Sequence, residues 1–206
     1  QNHDEYDFKM IYFNSNGEQS SMCGNGGRCI VAFANMLEII SDETTFVAVD
    51  GIHQAKITKD DVLLKMNDVK KIESMNDGFY LDTGSPHYIK IVDHLEDINV
   101  VQEGRVIRNS KLFKKNGVNV NFVSFDSDLE VRTYERGVED ETLSCGTGVV
   151  AVAIAMHYAN FTIDNIIEVK ARGGVLLVSF ETFKGVYRNV WLSGNVSMVY
   201  GGDFEC

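Results

Sequence analysis

Two stretches of the chain carry a thiol in matching surroundings: Cys23-Gly24-Asn25-Gly26 and Cys145-Gly146-Thr147-Gly148. Each opens a long apolar segment, Cys29 to Ala34 after the first and Val149 to Met156 after the second. The pattern places a cysteine at the mouth of a helix, twice. The first backbone N–H groups of a helix have no partner inside it, and the aligned peptide dipoles leave partial positive charge there. Glycines let a bound group approach those donors with no Cβ in the way. Such a setting favours thiolate over thiol. A free cysteine titrates near ~8.5 and is only a few per cent ionised at neutral pH, so a fall of about one to two units makes it a ready base. The same N–H groups hold a carboxylate. Each stretch supplies a base and an anion clamp.

The elements around them must bring the two thiols together. Tyr6 to Phe13 alternates as a strand, and Asn14 to Gly17 makes a turn before the first thiol. The first helix is expected to run to about Ile40, with Ile30, Phe33, Leu37 and Ile40 on one face and Val31, Ala34 and Ile39 on the others. A helix apolar all round is a central one. Short strands are expected at 45–49, 54–58, 62–66, 78–81 and 88–92, and Thr83 to His87 forms a turn around the one proline. Residues 93–116 read as a short helix with loops, followed by strands at 118–125 and 129–135. After the second helix, 166–171 and 175–180 flank Arg172-Gly173-Gly174 as a hairpin, and 186–192 and 196–200 complete the strands. Strands, helix, strands, twice over, describe an α+β protein of two pseudo-symmetric halves. Each half is a curled, mixed or antiparallel sheet around a central buried helix. The expected halves are 1–67 plus 193–206, and 68–192. A cleft between them would make Cys23 and Cys145 neighbours.

Bulk properties narrow the class. The 206 residues carry 30 acidic against 19 basic side chains, a formal net charge of −11, which argues against a nucleic-acid partner. No apolar run reaches membrane-spanning length. The four cysteines lack the spacing of a secreted scaffold, which favours a reducing, cytoplasmic setting. Cys23 and Cys29 would lie about 240° apart on one helix, unsuited to a shared metal. No metal site is expected. Cys29 reads as a small core residue and Cys206 as an incidental terminal thiol.

Several motifs together carry a resemblance. Phe13-Asn14-Ser15-Asn16-Gly17 followed by Met22-Cys23-Gly24-Asn25-Gly26-Gly27-Arg28-Cys29 resembles the first signature of the diaminopimelate epimerases. Tyr134-Glu135-Arg136-Gly137-Val138 followed by Glu141-Thr142-Leu143-Ser144-Cys145-Gly146-Thr147-Gly148 resembles the second. Gly84-Ser85-Pro86-His87 and Gly117-Val118-Asn119-Val120 fall between them in the family's order. The related proline racemases carry histidine after the first Cys-Gly and fit less well. The resemblance implies an isomerase that uses no cofactor, interconverting LL- and meso-diaminopimelate on the route to lysine and peptidoglycan.

What it implies for single residues follows. Cys23 and Cys145 are the acid–base pair on opposite faces of the α-carbon. His87 stands beside the first thiol and Glu135 beside the second. Asn14, Asn119 and Arg136 hold the distal amino and carboxylate ends of the substrate, with Ser85 where most members have asparagine. Gly24, Asn25, Gly146 and Thr147 supply the anion-binding backbone. Inversion needs a proton donor on each face, because a single base returns the proton to the face it left. The family's N-terminal Gly-Asn-Asp-Phe-type motif and Gly-x-Asp-Gly loop are not found, and the chain starts at Gln1, so the first half is expected to be truncated. Two other readings stay open: another cofactor-independent racemase on the same scaffold, or an inactive, truncated homologue serving as a binding or structural module. A homodimer is compatible with all three.

Overall fold

The computed structural model describes residues 1, 3–13, 17–19, 22–75 and 77–203. Its first helix, α1 (Gly24–Met36), starts from Cys23 as N-cap, with φ −109 and ψ 112. Another thirteen-residue helix, α3 (Gly146–Tyr158), starts from Cys145 at φ −118 and ψ 108. The two glycine-rich loops thus enter their helices through the same backbone conformation. That likeness is the structural form of the sequence repeat.

The strands repeat as well. Before α1 comes β1 (Phe8–Lys9), and after it β2 (Glu43–Ala48), β3 (Gly51–Ile57) and β4 (Val62–Lys65). Between the two units lie β5 (Ile72–Met75), β6 (Gly78–Asp82), β7 (Pro86–Ile91), α2 (Val100–Arg108) and β8 (Asn119–Phe125). Then β9 (Leu129–Glu135) and β10 (Asp140–Thr142) lead to α3, which is followed by β11 (Ile166–Ala171), β12 (Gly174–Phe183) and β13 (Val186–Gly194). One path of strands, β1-β2-β3-β4-β13-β12-β11-β9-β8-β7-β6-β5, runs through the sheet, with β10 paired to β9. In both units a strand ahead of the helix is parallel to the strand after it, β1 to β2 and β9 to β11. Two antiparallel strands then follow in each, and the units meet last strand to last strand, β4 antiparallel to β13.

The helices differ in how far they are wrapped. From Gly146 to Met156 every residue of α3 is buried, in a core shared with Val31, Phe46, Leu64 and Leu192. Each fully buried Val or Ile there contributes roughly 1.5–3 kcal/mol. A smaller core of Val100, Val120, Phe122 and Tyr134 lies under α2, where a Cβ on Gly104 would fall 2.4 Å from Tyr134 Cβ. The expectation of a central α1 is corrected. It buries one stripe, Gly24, Gly27, Arg28, Val31 and Ala34, and ends at Met36, while Phe33 and Leu37 are 52% and 50% exposed. Cys29 is exposed rather than core. An all-apolar composition permits wrapping on every side but does not supply the neighbours.

Two strand expectations also fail in part. Of Tyr6 to Phe13, Phe8–Lys9 forms the strand. Residues 196–200 form none; β13 ends at Gly194 with both of its edges taken by β12 and β4. Among the described residues no helix is long and apolar enough to cross a membrane.

Candidate active site

The mouths of α1 and α3 meet directly. A Cβ on Gly24 would lie 3.1 Å from Gly146 Cα, one on Gly146 would lie 3.0 Å from Gly24 Cα, and both would lie 3.0 Å from Leu192 Cδ2. Glycines fit that approach without strain, whereas a Cβ at either position would be crowded. Asn25 Nδ2 donates to Ser144 O at 2.9 Å, joining the loop of one thiol to the loop of the other. A cavity of about 230 Å³ opens at this junction, lined by Cys23, Gly24 and Asn25 from one mouth and by Cys145, Gly146 and Thr147 from the other. Ser85, Asn119, Glu135 and Arg136 complete its rim.

The two thiols occupy unequal surroundings. Cys23 is half-buried, and Gly26 N–H donates to its sulfur at 3.3 Å. Cys145 is buried. Burial first, and then the Glu135 carboxylate, push its thiol up to about 12, against the opposing pull of the Thr147 hydroxyl and the Gly148 N–H. The helix mouth alone predicts the reverse direction. Desolvation and a like charge outweigh it here, so Cys145 rests as a thiol. Glu135 is itself held above the usual carboxylate range by burial.

His87 is fully enclosed, with Nε2 2.9 Å from Thr147 Oγ1, two residues after Cys145. Its protonation follows from its neighbours. Asn121 Nδ2 faces Tyr88 O at 3.3 Å, and a carbonyl can only accept, which fixes the amide's orientation. The same Nδ2 therefore donates to His87 Nδ1 at 3.1 Å. The proton of the neutral ring is on Nε2 and points to Thr147 Oγ1. That leaves the Thr147 hydroxyl hydrogen for Cys145 Sγ, 3.5 Å away. Thr133 Oγ1 closes the chain by donating to Asn121 Oδ1 at 3.0 Å. Burial, assisted by the Arg136 cation, pushes His87 down to about 3. It is a fixed neutral donor and does not exchange protons near neutrality.

At the far end of the cavity, Asn119 spends its side chain on the protein. Nδ2 donates to Ser85 Oγ at 2.9 Å and Pro86 O at 3.1 Å, and Oδ1 accepts from Arg136 N at 2.8 Å. The Arg136 guanidinium donates to Asn116 O at 3.0 Å and Ser85 Oγ at 3.4 Å, both neutral acceptors, so its charge is presented to the cavity. Asn14 lies outside the described residues.

Residues not singled out from the sequence also line the cavity, among them Tyr12, Met22 and Ser144. Tyr12 is the most telling. The charge of the Cys23 sulfur, then burial and a hydrogen bond to that sulfur, push its hydroxyl up to about 12, with Glu135 and Cys145 adding to the effect. Its one sequence signal was its place beside Phe13 in the first motif. Among the described residues no cluster of His, Cys, Asp and Glu could hold a metal ion.

Comparison with known proteins gives a consistent family. The family model described as diaminopimelate epimerase matches residues 79–199. A diaminopimelate epimerase of Flavobacterium psychrophilum is 47% identical over 203 residues, covering 97% of this chain and 79% of that protein. One from Aquifex aeolicus is 36% identical over 210 residues, covering 96% and 75%. Among solved structures, a Bacillus anthracis phenazine biosynthesis protein of the PhzF family superposes with a TM-score of 0.74 at 12% identity, covering 94% of this chain and 79% of that one. A probable proline racemase from Agrobacterium radiobacter with bound carbonate gives a TM-score of 0.69 at 16% identity, covering 95% and 71%. At those identities the structures share the fold.

Proposed function

The chain belongs to the diaminopimelate epimerase family, and from that premise we propose that it interconverts LL- and meso-diaminopimelate by proton transfer at one α-carbon. The observation that carries the reading is the convergence of the Cys23 and Cys145 mouths on one cavity. The N–H groups of Gly24, Asn25, Gly146 and Thr147 bind the reacting carboxylate between two positive helix ends. Cys145, held as a thiol, delivers a proton to one face of the α-carbon, and Cys23 removes the proton from the other. In the reverse direction the roles exchange, so the two sulfurs titrate as a linked pair.

Proton transfer by a positioned group contributes typically about 10²–10⁴-fold, too little for so weak a carbon acid. The larger part comes from the same N–H groups, which stabilise the carboxylate as it takes up charge from the departing proton. Arg136 receives the distal carboxylate, for which a planar guanidinium fork is suited. Asn119 acts by fixing Arg136, and Ser85 supports the same guanidinium. Asn14 keeps its proposed role at the distal end of the substrate. His87, through Thr147, keeps Cys145 hydrogen-bonded, and Glu135 keeps it protonated.

In this reading the two halves, 1–67 with 193–206 and 68–192, each contribute one mouth, and the protein works in the cytoplasm on a small-molecule substrate. The test is incubation with LL-diaminopimelate in heavy water, following α-deuterium and the meso isomer together. Both should appear, and both should vanish in Cys23→Ala and in Cys145→Ala. Neither appearing with the unsubstituted chain would sink the proposal.

A further inference from the structure

We infer that Arg28 is a positioning residue of the two-thiol site, holding the Asn25 side chain in the orientation that ties the Cys23 loop to the Cys145 loop. The inference rests on the epimerase reading above. Arg28 sits on the buried stripe of α1, one turn after Gly24, and is 6% exposed. Its Nη2 donates to Asn25 Oδ1 at 3.0 Å, and its Nη1 approaches Gly24 O at 3.5 Å. A guanidinium can only donate, so it compels the Asn25 amide to turn its oxygen inward. The Nδ2 end is thereby aimed at Ser144 O, 2.9 Å away and one residue before Cys145. Freed from Arg28, the amide could turn over and present two oxygens to each other. Asn25 and Ser144 are 119 residues apart in sequence, and the link spans the junction of the two mouths.

Nothing in the packing calls for an arginine there. Burying a guanidinium is costly unless it is paired, and among the described residues Arg28 has no ion-pair partner. Its Nε is buried without a hydrogen-bond partner. A methionine would fill the same stripe beside Val31 and Leu64 at lower cost. Arg28 does not line the cavity, so it acts on the reaction through other groups. Burial lowers its pKa, while Cys29, Cys23 and Asp61 pull upward. Orientation of the bridging amide and a positive charge behind the first thiol arise from one side chain.

The test uses the full chain with Arg28→Lys, which keeps the charge but loses the fork, and Asn25→Asp, which keeps an acceptor for Arg28 but cannot donate to Ser144 O. Turnover, KM and the ratio of α-deuterium incorporation to inversion in heavy water are measured for each. Both variants should lower kcat about tenfold or more while KM moves far less, because misplaced groups cost chiefly in the reacting geometry. Both should raise the exchange-to-inversion ratio, since thiols out of line return the proton to the face it left. A residue that merely supported the fold would lower soluble yield and melting temperature without moving that ratio. Because Arg28 acts through Asn25, the double variant should be no worse than the poorer single one. An unchanged ratio in Arg28→Lys or in Asn25→Asp, or losses that multiply in the double variant, would overturn the role of Arg28 alone. A wild-type chain silent in both exchange and inversion would overturn the functional reading as well.

Discussion

Gly24 and Gly146 stand face to face, each within about the reach of one missing methyl group from the other's Cα, at 3.1 and 3.0 Å from the ideal Cβ positions. Two helix N-termini are therefore driven together with their positive ends sharing one space. Left empty, such an arrangement is electrostatically unfavourable; with an anion between the ends it becomes a binding site. The substrate's carboxylate and a thiolate supply that charge.

Alanine at either glycine should separate the mouths. A Gly→Ala change inside a helix is ordinarily favourable by about 1 kcal/mol, so a contact-free site would gain stability. Here the new methyl meets backbone atoms that cannot rotate away, and overpacking of that kind costs typically about 1–3 kcal/mol. Gly24→Ala and Gly146→Ala should each lower the urea midpoint and reduce kcat by about tenfold, less than the roughly 10²-fold typical of a 1 Å misplacement because the mouths need shift by only a fraction of that. Variants as stable and as fast as the parent chain would show that the two mouths do not touch.

Glu135 bears on the resting state of Cys145 through its charge. Removing that charge while keeping the shape, as in Glu135→Gln, leaves burial as the main upward influence. Cys145 should then titrate lower than its present value of about 12, towards the ordinary thiol range near ~8.5. Alkylation of Cys145 followed against pH, in a background carrying Cys23→Ser, Cys29→Ser and Cys206→Ser so that one thiol reports, measures the change. A midpoint that stays in place, or rises, would remove Glu135 from the account of how Cys145 keeps its proton.

His87 makes acid stability a readout of the buried hydrogen-bond chain. The unfolded ring titrates near ~6.5, whereas in the folded protein it is pushed down to about 3. Above the unfolded value both states are neutral and the stabilising bonds are fully present. As pH falls below it, the unfolded chain takes up a proton that the folded one refuses, and stability drops until the folded value is passed. The slope reaches at most about 1.4 kcal/mol per pH unit from this one group. Urea unfolding between pH 7 and 4.5 should show a shallower loss for His87→Gln than for the parent, the difference isolating His87 from the carboxylates. Parallel slopes would mean that the ring is protonated in the fold.

Much of this site is written in local sequence. Cys23, Gly24, Cys145 and Gly146 are legible because a thiol followed by spaced glycines and an apolar run has few other uses, and the repeat doubles the signal. Glu135 and Arg136 were found by their motif, and the structure sets them on the same cavity. Tyr12 and Arg28 were not found, since their importance lies in partners that sequence spacing does not reveal: a sulfur eleven residues on for Tyr12, and a carbonyl across the fold for Arg28 by way of Asn25.

The misreadings share a cause. The helix-mouth argument anticipates a lowered thiol pKa at both cysteines, yet depth of burial and the Glu135 charge decide the matter at Cys145. The apolar run after Cys23 was read as a wrapped helix, yet only the stripe from Gly24 to Ala34 meets neighbours. His87 was named by its motif, yet its protonation is decided by burial and by the turn that docks it on Thr147, 60 residues away. In each case local chemistry named the group correctly, and tertiary placement determined what the group experiences.

The sheet reads the same from β1 inward to β4 as from β9 inward to β13. A carbon poised on the seam of such a palindrome meets near-mirror equipment on its left and its right, so neither handedness is the natural resting point of the machinery. Any difference in how the two stereoisomers bind and turn over must come from details that break the palindrome, chiefly the deeper setting of one sulfur and the acid beside it. A catalyst of this build has no built-in destination; it hastens the approach to balance from whichever stereoisomer the cell happens to supply.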